Sequence, residues 1–403
     1  MDDLRGRGIE SLAIPHNSNG SNGHMFLLTD WAGNPMDDSY VDQRKRNEPL
    51  VEITQIKGSS DTHPALSPND EWADFEIMPF RVGTQLLSKP QGGYVREALQ
   101  NGLAMEDEIG ANPYKFGFIG SSDTHTAATS DDESNYFGKL GLMDKNSVLR
   151  GSVPMTKAQV WLLRKAGGDK YMLDLDGRGY TKGASETFGS AGLAGVWAEE
   201  NTRESIYNAF RRKETFATTG PRIRVRFFAG FDFDDGMLAN EDMVAKAYAS
   251  GVAMGGDLLA RDGATPKFLV WVTRDPRGTA LQRIQIIKGW TADGISMEKV
   301  YDVACSDGLK VDPKTNRCPD NGAKVNLADC SITADVGDAE LKALWTDPDF
   351  DAGQRAFYYV RVLENPTCRW STWDAVRAGV EPRPDLKKTI QERAWSSPIW
   401  YTP

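Results

Sequence analysis

A chain of 403 residues exceeds the size at which a single core usually stops growing, about 250 to 300 residues, so two domains are the expectation. Apolar residues at 40% and charged ones at 26% exclude a disordered or fibrous chain, and no apolar run is long enough to span a bilayer. The net charge of -10 argues against a nucleic-acid partner, since a polyanion groove needs clustered Lys and Arg.

The opening residues Leu4 to Glu10 read as a helix end leading into the apolar run Leu12-Ala13-Ile14, a strand stopped by Pro15-His16-Asn17-Ser18-Asn19-Gly20. The same texture returns at Leu50-Val51-Glu52-Ile53-Thr54 and at Phe116-Gly117-Phe118-Ile119-Gly120. Each run is followed by a polar loop, carrying His63 in one case and Asp123 and His125 in the other. Between them Tyr94 to Asn101 has a helical face of Val95, Ala98 and Leu99, which Gly102 is expected to end. Alternating strands and helices predict a parallel α/β layer with its site at the strands' C-terminal ends. A further helix opens at Asn201-Thr202-Arg203-Glu204, with Asn201 or Thr202 as N-cap, and closes at the cations Arg211 to Lys213.

After Gly220 the pattern changes to period-2 alternation, as in Ile223-Arg224-Val225-Arg226-Phe227, Phe268 to Val272 and Phe357 to Val362. The chain is therefore divided into an α/β domain, 1-220, and an antiparallel β-sandwich, 221-403. Cys305, Cys318 and Cys330 fall in or beside the polar loop 303-333, and Cys368 follows. Their spacing lacks the C-x-x-C pairs of structural zinc, so at least one disulfide is expected, with three pairings open and free thiols in a reducing compartment as the alternative. Disulfides would place the chain in the periplasm or outside the cell, given a leader upstream; otherwise it would be cytoplasmic.

Four histidines occur, and three of them, His16, His63 and His125, follow expected strands. Asp123-Thr124-His125 can turn a carboxylate and an imidazole to one face. Glu52 sits inside an apolar run and needs a buried partner. Together these donors suit Zn, Mn or Fe more than Mg or Ca. The bland alternatives are a capping aspartate beside a surface histidine, and a structural ion pair for Glu52. His24 follows a flexible glycine-rich loop and reads as a solvated histidine. No G-x-S-x-G elbow accompanies Ser121 and Ser122, and the glycine-rich stretches Gly183 to Gly195 and Met254-Gly255-Gly256 fit no nucleotide cradle.

Ala13 to Asn19, Val51-Glu52-Ile53 with Lys57 to Pro64, and Gly120 to His125 resemble successive motifs of the polymerase-and-histidinol-phosphatase (PHP) superfamily. Within it the chain looks most like the branch catalogued as domain of unknown function 3604, to which Ala194 to Glu200, Ala217 to Arg222 and Ala394 to Trp400 are also similar. The resemblance implies a distorted (β/α)7 barrel and hydrolysis of phosphate or related esters by water activated on two or more divalent transition metals. It makes His16, Glu52, His63, Asp123 and His125 the metal ligands, and Lys57 and Arg222 candidates for neutralising the charge on a small-molecule ester substrate. The H-x-H motif that opens the superfamily's pattern has no counterpart here. That gap suggests a chain beginning mid-barrel, with the missing barrel segment upstream, and keeps open an alternative: a non-catalytic protein with an inert barrel remnant and a glycan- or partner-binding sandwich.

Overall fold

Nine consecutive residues, Ala356–Glu364, form a strand in which every side chain is buried, which requires a layer on each face. In the computed structural model, which describes residues 1–183, 187–292 and 294–403, that strand is the middle of three layers. Its even positions Tyr358, Val360 and Val362 join Ile284, Ile286, Ala394, Ile399 and Tyr401 in a core shared with Val225, Phe227, Phe268 and Val270. Its odd positions Phe357 and Tyr359 join Ile287, Trp395, Trp400 and Ala217 in a second core shared with Val51, Ile53, Phe116 and Phe118. Period-2 alternation along one strand thus feeds two cores.

The central sheet runs in the order Asp257–Leu259, Ile399–Thr402, Ala356–Glu364, Arg393–Ser396, Thr215–Thr218, Leu193–Val196. Leu281–Ala292 pairs with the other edge of Ala356–Glu364, and Ile295–Cys305 pairs with it in turn. On one face lies an antiparallel sheet ordered Glu340–Thr346, Lys267–Thr273, Arg224–Gly230, Val252–Ala253. The other face meets a small sheet in which Leu50–Gln55 pairs in parallel with Gly117–Gly120 and antiparallel with Gly58–Ser59. The helix Val95–Ile109 packs there too, burying Val95, Ala98, Leu99 and Leu103 in the second core.

The structure is thus mixed α/β with mostly antiparallel sheets, and it corrects the sequence reading at two elements, the Leu12-Ala13-Ile14 strand and the helix end at Gly102. No closed barrel is present among the described residues. The strands Leu193–Val196 and Thr215–Thr218, both within the 1–220 segment, pair antiparallel with each other, and Thr215–Thr218 pairs antiparallel with Arg393–Ser396. Segments on both sides of Gly220 therefore share one sheet. Leu12-Ala13-Ile14 is not a strand; it runs beside the Leu50–Gln55 segment through single bonds, Ala13 N to Asn47 O at 2.7 Å and Glu52 N to Pro15 O at 3.0 Å. The helix continues through Gly102 because the side chain of Asn112 packs where a Cβ would stand, and Gly110, with φ 74°, ends it instead. Residues 184–186 of the glycine-rich stretch Gly183 to Gly195 lie outside the described residues.

A buried ionic network ties the small-sheet layer to the central sheet. Arg361 holds Asp70 bidentately at 2.7 and 2.8 Å, and Arg96 reaches Asp70 at 2.9 Å and Asp61 at 3.1 Å. The hydroxyl of Tyr359 donates to Asp61 at 2.6 Å, and Trp395 Nε1 donates to the same carboxylate at 3.1 Å. Two disulfides, Cys305–Cys318 and Cys330–Cys368, pin the polar loop. Both fit an oxidising compartment. No described helix is long and apolar enough to cross a membrane.

Candidate functional site

The parallel pair places its polar loops at one end, as expected for strands that run in the same sense. Glu52 lies within Leu50–Gln55 and is 4% exposed, yet neutral donors satisfy it. The Ser121 hydroxyl donates to Oε2, while Gln55 Nε2 at 3.1 Å and the Asn17 backbone N–H at 3.3 Å donate to Oε1. Ser121 is itself fixed by its backbone bond to Thr54 O at 3.0 Å.

Two residues further on, Asp123 takes a left-handed backbone, φ 48°, a conformation that aspartate tolerates better than most residues. The turn aims its carboxylate at two lysines. Nζ of Lys57 meets Oδ2, and Nζ of Lys139 meets the same oxygen at 2.8 Å and also the Asp123 carbonyl. Lys57 is delivered by the tight hairpin turn before Gly58, whose φ of +97° leaves no room for a Cβ beside the Glu76 carbonyl. Burial, together with the neighbouring Lys139 charge, pushes the Lys57 amine down to about 7. Burial also lowers Lys139.

His125 is the exposed member of the group. Its backbone N–H bonds to Lys139 O at 2.9 Å, and its Nε2 lies 3.3 Å from Asp123 Oδ1 and 3.1 Å from Lys139 Nζ. With the proton on Nδ1 the ring accepts from Lys139; with the proton on Nε2 it donates to Asp123.

Of the sequence candidates, the structure gathers Glu52, Lys57, Asp123 and His125 about the Ser121–His125 loop. It places the others elsewhere. His63 accepts from Ala65 N at 3.0 Å and packs its ring 5.4 Å from that of Tyr94, and burial lowers its pKa. His16 is exposed beyond Pro15, and Arg222 is exposed beside Asp275, to which its backbone N–H donates at 2.8 Å. Lys139 was missed because nothing in its local sequence marks it. It reaches the site through its fold position, its backbone N–H held by Asp144 at 2.9 Å.

Tested as a metal centre, the donors as placed do not fit. No three His, Cys, Asp or Glu side chains converge among the described residues, and Asp123 faces two ammonium groups where a cation would sit. What the arrangement offers as it stands is a pair of amines held by one carboxylate beside a solvent-facing imidazole. The model of one protein family, described as protein of unknown function (DUF3604), matches residues 1–403. The chain belongs to that family. No curated protein and no solved structure matches it.

Proposed function

We propose that the chain is a hydrolase of phosphate esters or closely related anionic esters, built on the polymerase-and-histidinol-phosphatase plan that its motifs resemble. The observation that supports it best is the convergence of Lys57 and Lys139 on Asp123, beside His125, at the loop end of a parallel strand pair. Two ammonium groups suit the charge that builds on phosphoryl oxygens as a P–O bond forms to water and the ester P–O bond breaks. His125 takes the proton of the attacking water, and Lys57, its amine near neutrality, returns a proton to the departing alkoxide. Asp123 orients both lysines.

A second reading follows the motifs further and adds divalent Zn, Mn or Fe. It rests on the motif resemblance, with Asp123, Glu52 and His125 as the donors, and it requires Lys57 and Lys139 to leave Asp123 before a cation binds. No step above depends on a metal.

The test is turnover of aryl phosphate monoesters, diesters and sulfates by the full chain, after chelation and again with added Mn or Zn. Asp123→Asn and Lys139→Met should each lower turnover by about 100-fold or more. Activity that appears only with metal, and a metal content that falls in the Asp123→Ala, His125→Ala double variant, would favour the second reading. No turnover of any ester under either condition would favour a binding protein.

A further inference from the structure

A cleft of about 520 Å³ opens on the side of the molecule where Arg222 lies, between the 131–135 segment, the turn at Gly220 and the loop 275–279. That volume suits a small molecule. Its wall is acidic, but most of the acids are already engaged. Glu133 accepts the backbone N–H groups of Ser190, at 2.8 Å, and Trp370. Asp275 accepts those of Arg222 at 2.8 Å and Arg277 at 2.9 Å. Glu392 takes the hydroxyls of Ser190, at 3.2 Å, and Thr219.

Glu364 differs from all of these. It is 1% exposed, and its Oε2 has the Thr279 hydroxyl at 3.3 Å, whereas Oε1 is buried with no hydrogen-bond partner among the described residues. Glu364 lines the cleft, and its Oε1 lies just behind the lining residue Gly278, 3.0 Å from where a Cβ there would stand. A buried acceptor without a donor is destabilising, more so when charged, unless something fills the gap.

We infer that this cleft binds the ammonium group of a small organic amine, with Glu364 Oε1 as its acceptor. A metal ion is the poorer occupant, because the neighbouring carboxylates are spent on N–H and O–H donors and no three ligating side chains converge among the described residues. An ammonium needs only a few acceptors, and it supplies the donor that Oε1 lacks. Burial, reinforced by the nearby charge of Asp275, raises the Glu364 carboxyl to about 8, as expected for a group without its counter-charge. Arg222 and Arg277 stand on the same wall, so an anionic substituent on the amine would be tolerated. This site is separate from the Lys57–Asp123 cluster and does not rest on ester hydrolysis.

The test is calorimetric titration of the full chain with ethanolamine, with ethylene glycol and acetate as controls. Saturable binding of ethanolamine alone is expected, weakened about tenfold or more by Glu364→Gln and by Gly278→Ala, and unchanged by Asp123→Asn. Circular dichroism establishes that each variant is folded; should Glu364→Gln fail to fold, Gly278→Ala decides. Absence of saturation up to about 50 mM, equal affinity in the folded variants, or Glu364-dependent binding of Ca or Mn in place of the amine would each overturn the assignment.

Discussion

Asp70 is the most exacting place to test how the layers are joined. It accepts three charge-assisted hydrogen bonds, two from Arg361 and one from Arg96, and a fourth bond from the backbone of Trp72 at 2.9 Å. Substitution by alanine leaves two fully buried guanidinium groups with Asp61 as their shared carboxylate and, for Arg96, Glu298 at 3.4 Å. Bonds to charged groups contribute about 1.5–3 kcal/mol each, which would sum to more than the loss usually seen because water and side chains relax into the gap. Breaking one side of a buried pair gives the better guide, so Asp70→Ala is expected to cost about 3–5 kcal/mol. Replacing the pair together, Asp70→Leu with Arg361→Met, should recover a large part of that loss. Urea unfolding followed by tryptophan fluorescence and by far-ultraviolet circular dichroism measures both. A loss below about 1 kcal/mol for Asp70→Ala would refute the claim that this network joins the layers. The acid limb follows from the same geometry. Arg361 and Arg96 hold the Asp70 carboxyl far below its usual range, against the opposing effect of burial. The folded state therefore releases this proton more readily than the unfolded one. Its contribution is present above the ordinary carboxylate pKa of about 4 and is lost as pH falls below it, a loss that Asp70→Asn should remove from the pH profile.

Three other outcomes are expected. Intact mass under denaturing, non-reducing conditions should show no alkylated thiol, and four after reduction. Removing Cys330–Cys368, with a separation of 38, should destabilise the chain by about 1 kcal/mol more than removing Cys305–Cys318, with a separation of 13, as chain-entropy scaling requires; equal losses in urea would contradict it. Gly58→Ala should cost about 1–3 kcal/mol and lower ester turnover by displacing Lys57, and a crystal structure of the variant with Lys57 unmoved would count against the second part.

Local pattern made some of this legible and not the rest. The strands at Leu50–Gln55 and Gly117–Gly120 followed from short apolar runs ended by turn formers, and the helix start followed from Asn201 and Thr202, of which the structure selects Thr202 as the cap, accepting from Ser205 N at 3.3 Å. The alternation in Phe357 to Val362 announced a strand, but it looks the same whether one face or both are buried, so the central layer could not be foreseen. Gly102 misled because a glycine signals a helix end only when backbone freedom, and not close packing, is what the position needs. At the site, Glu52, Lys57, Asp123 and His125 come from two short stretches that each follow or lie in an expected strand, and were found by residue type and motif. Lys139 lies 14 residues past His125 in an irregular segment that no pattern marks, and the Glu364 cleft draws on segments far apart in sequence that no local signal joins.

The antiparallel docking of Thr215–Thr218 on Arg393–Ser396 also sets an order of events. Ala217 and Trp395, partners in that pairing, both belong to the core beneath the small parallel sheet, and Phe118 N is held by the Ser397 hydroxyl at 2.8 Å. The first half of the chain therefore has no completed core to collapse onto until residues near 395 emerge from the ribosome. Pairings that span so much sequence are slow to form and leave apolar strand edges open in the meantime. Folding of this core should therefore pass through an interval with those edges open, which ends only once the strands Arg393–Ser396 and Ile399–Thr402 are available to pair.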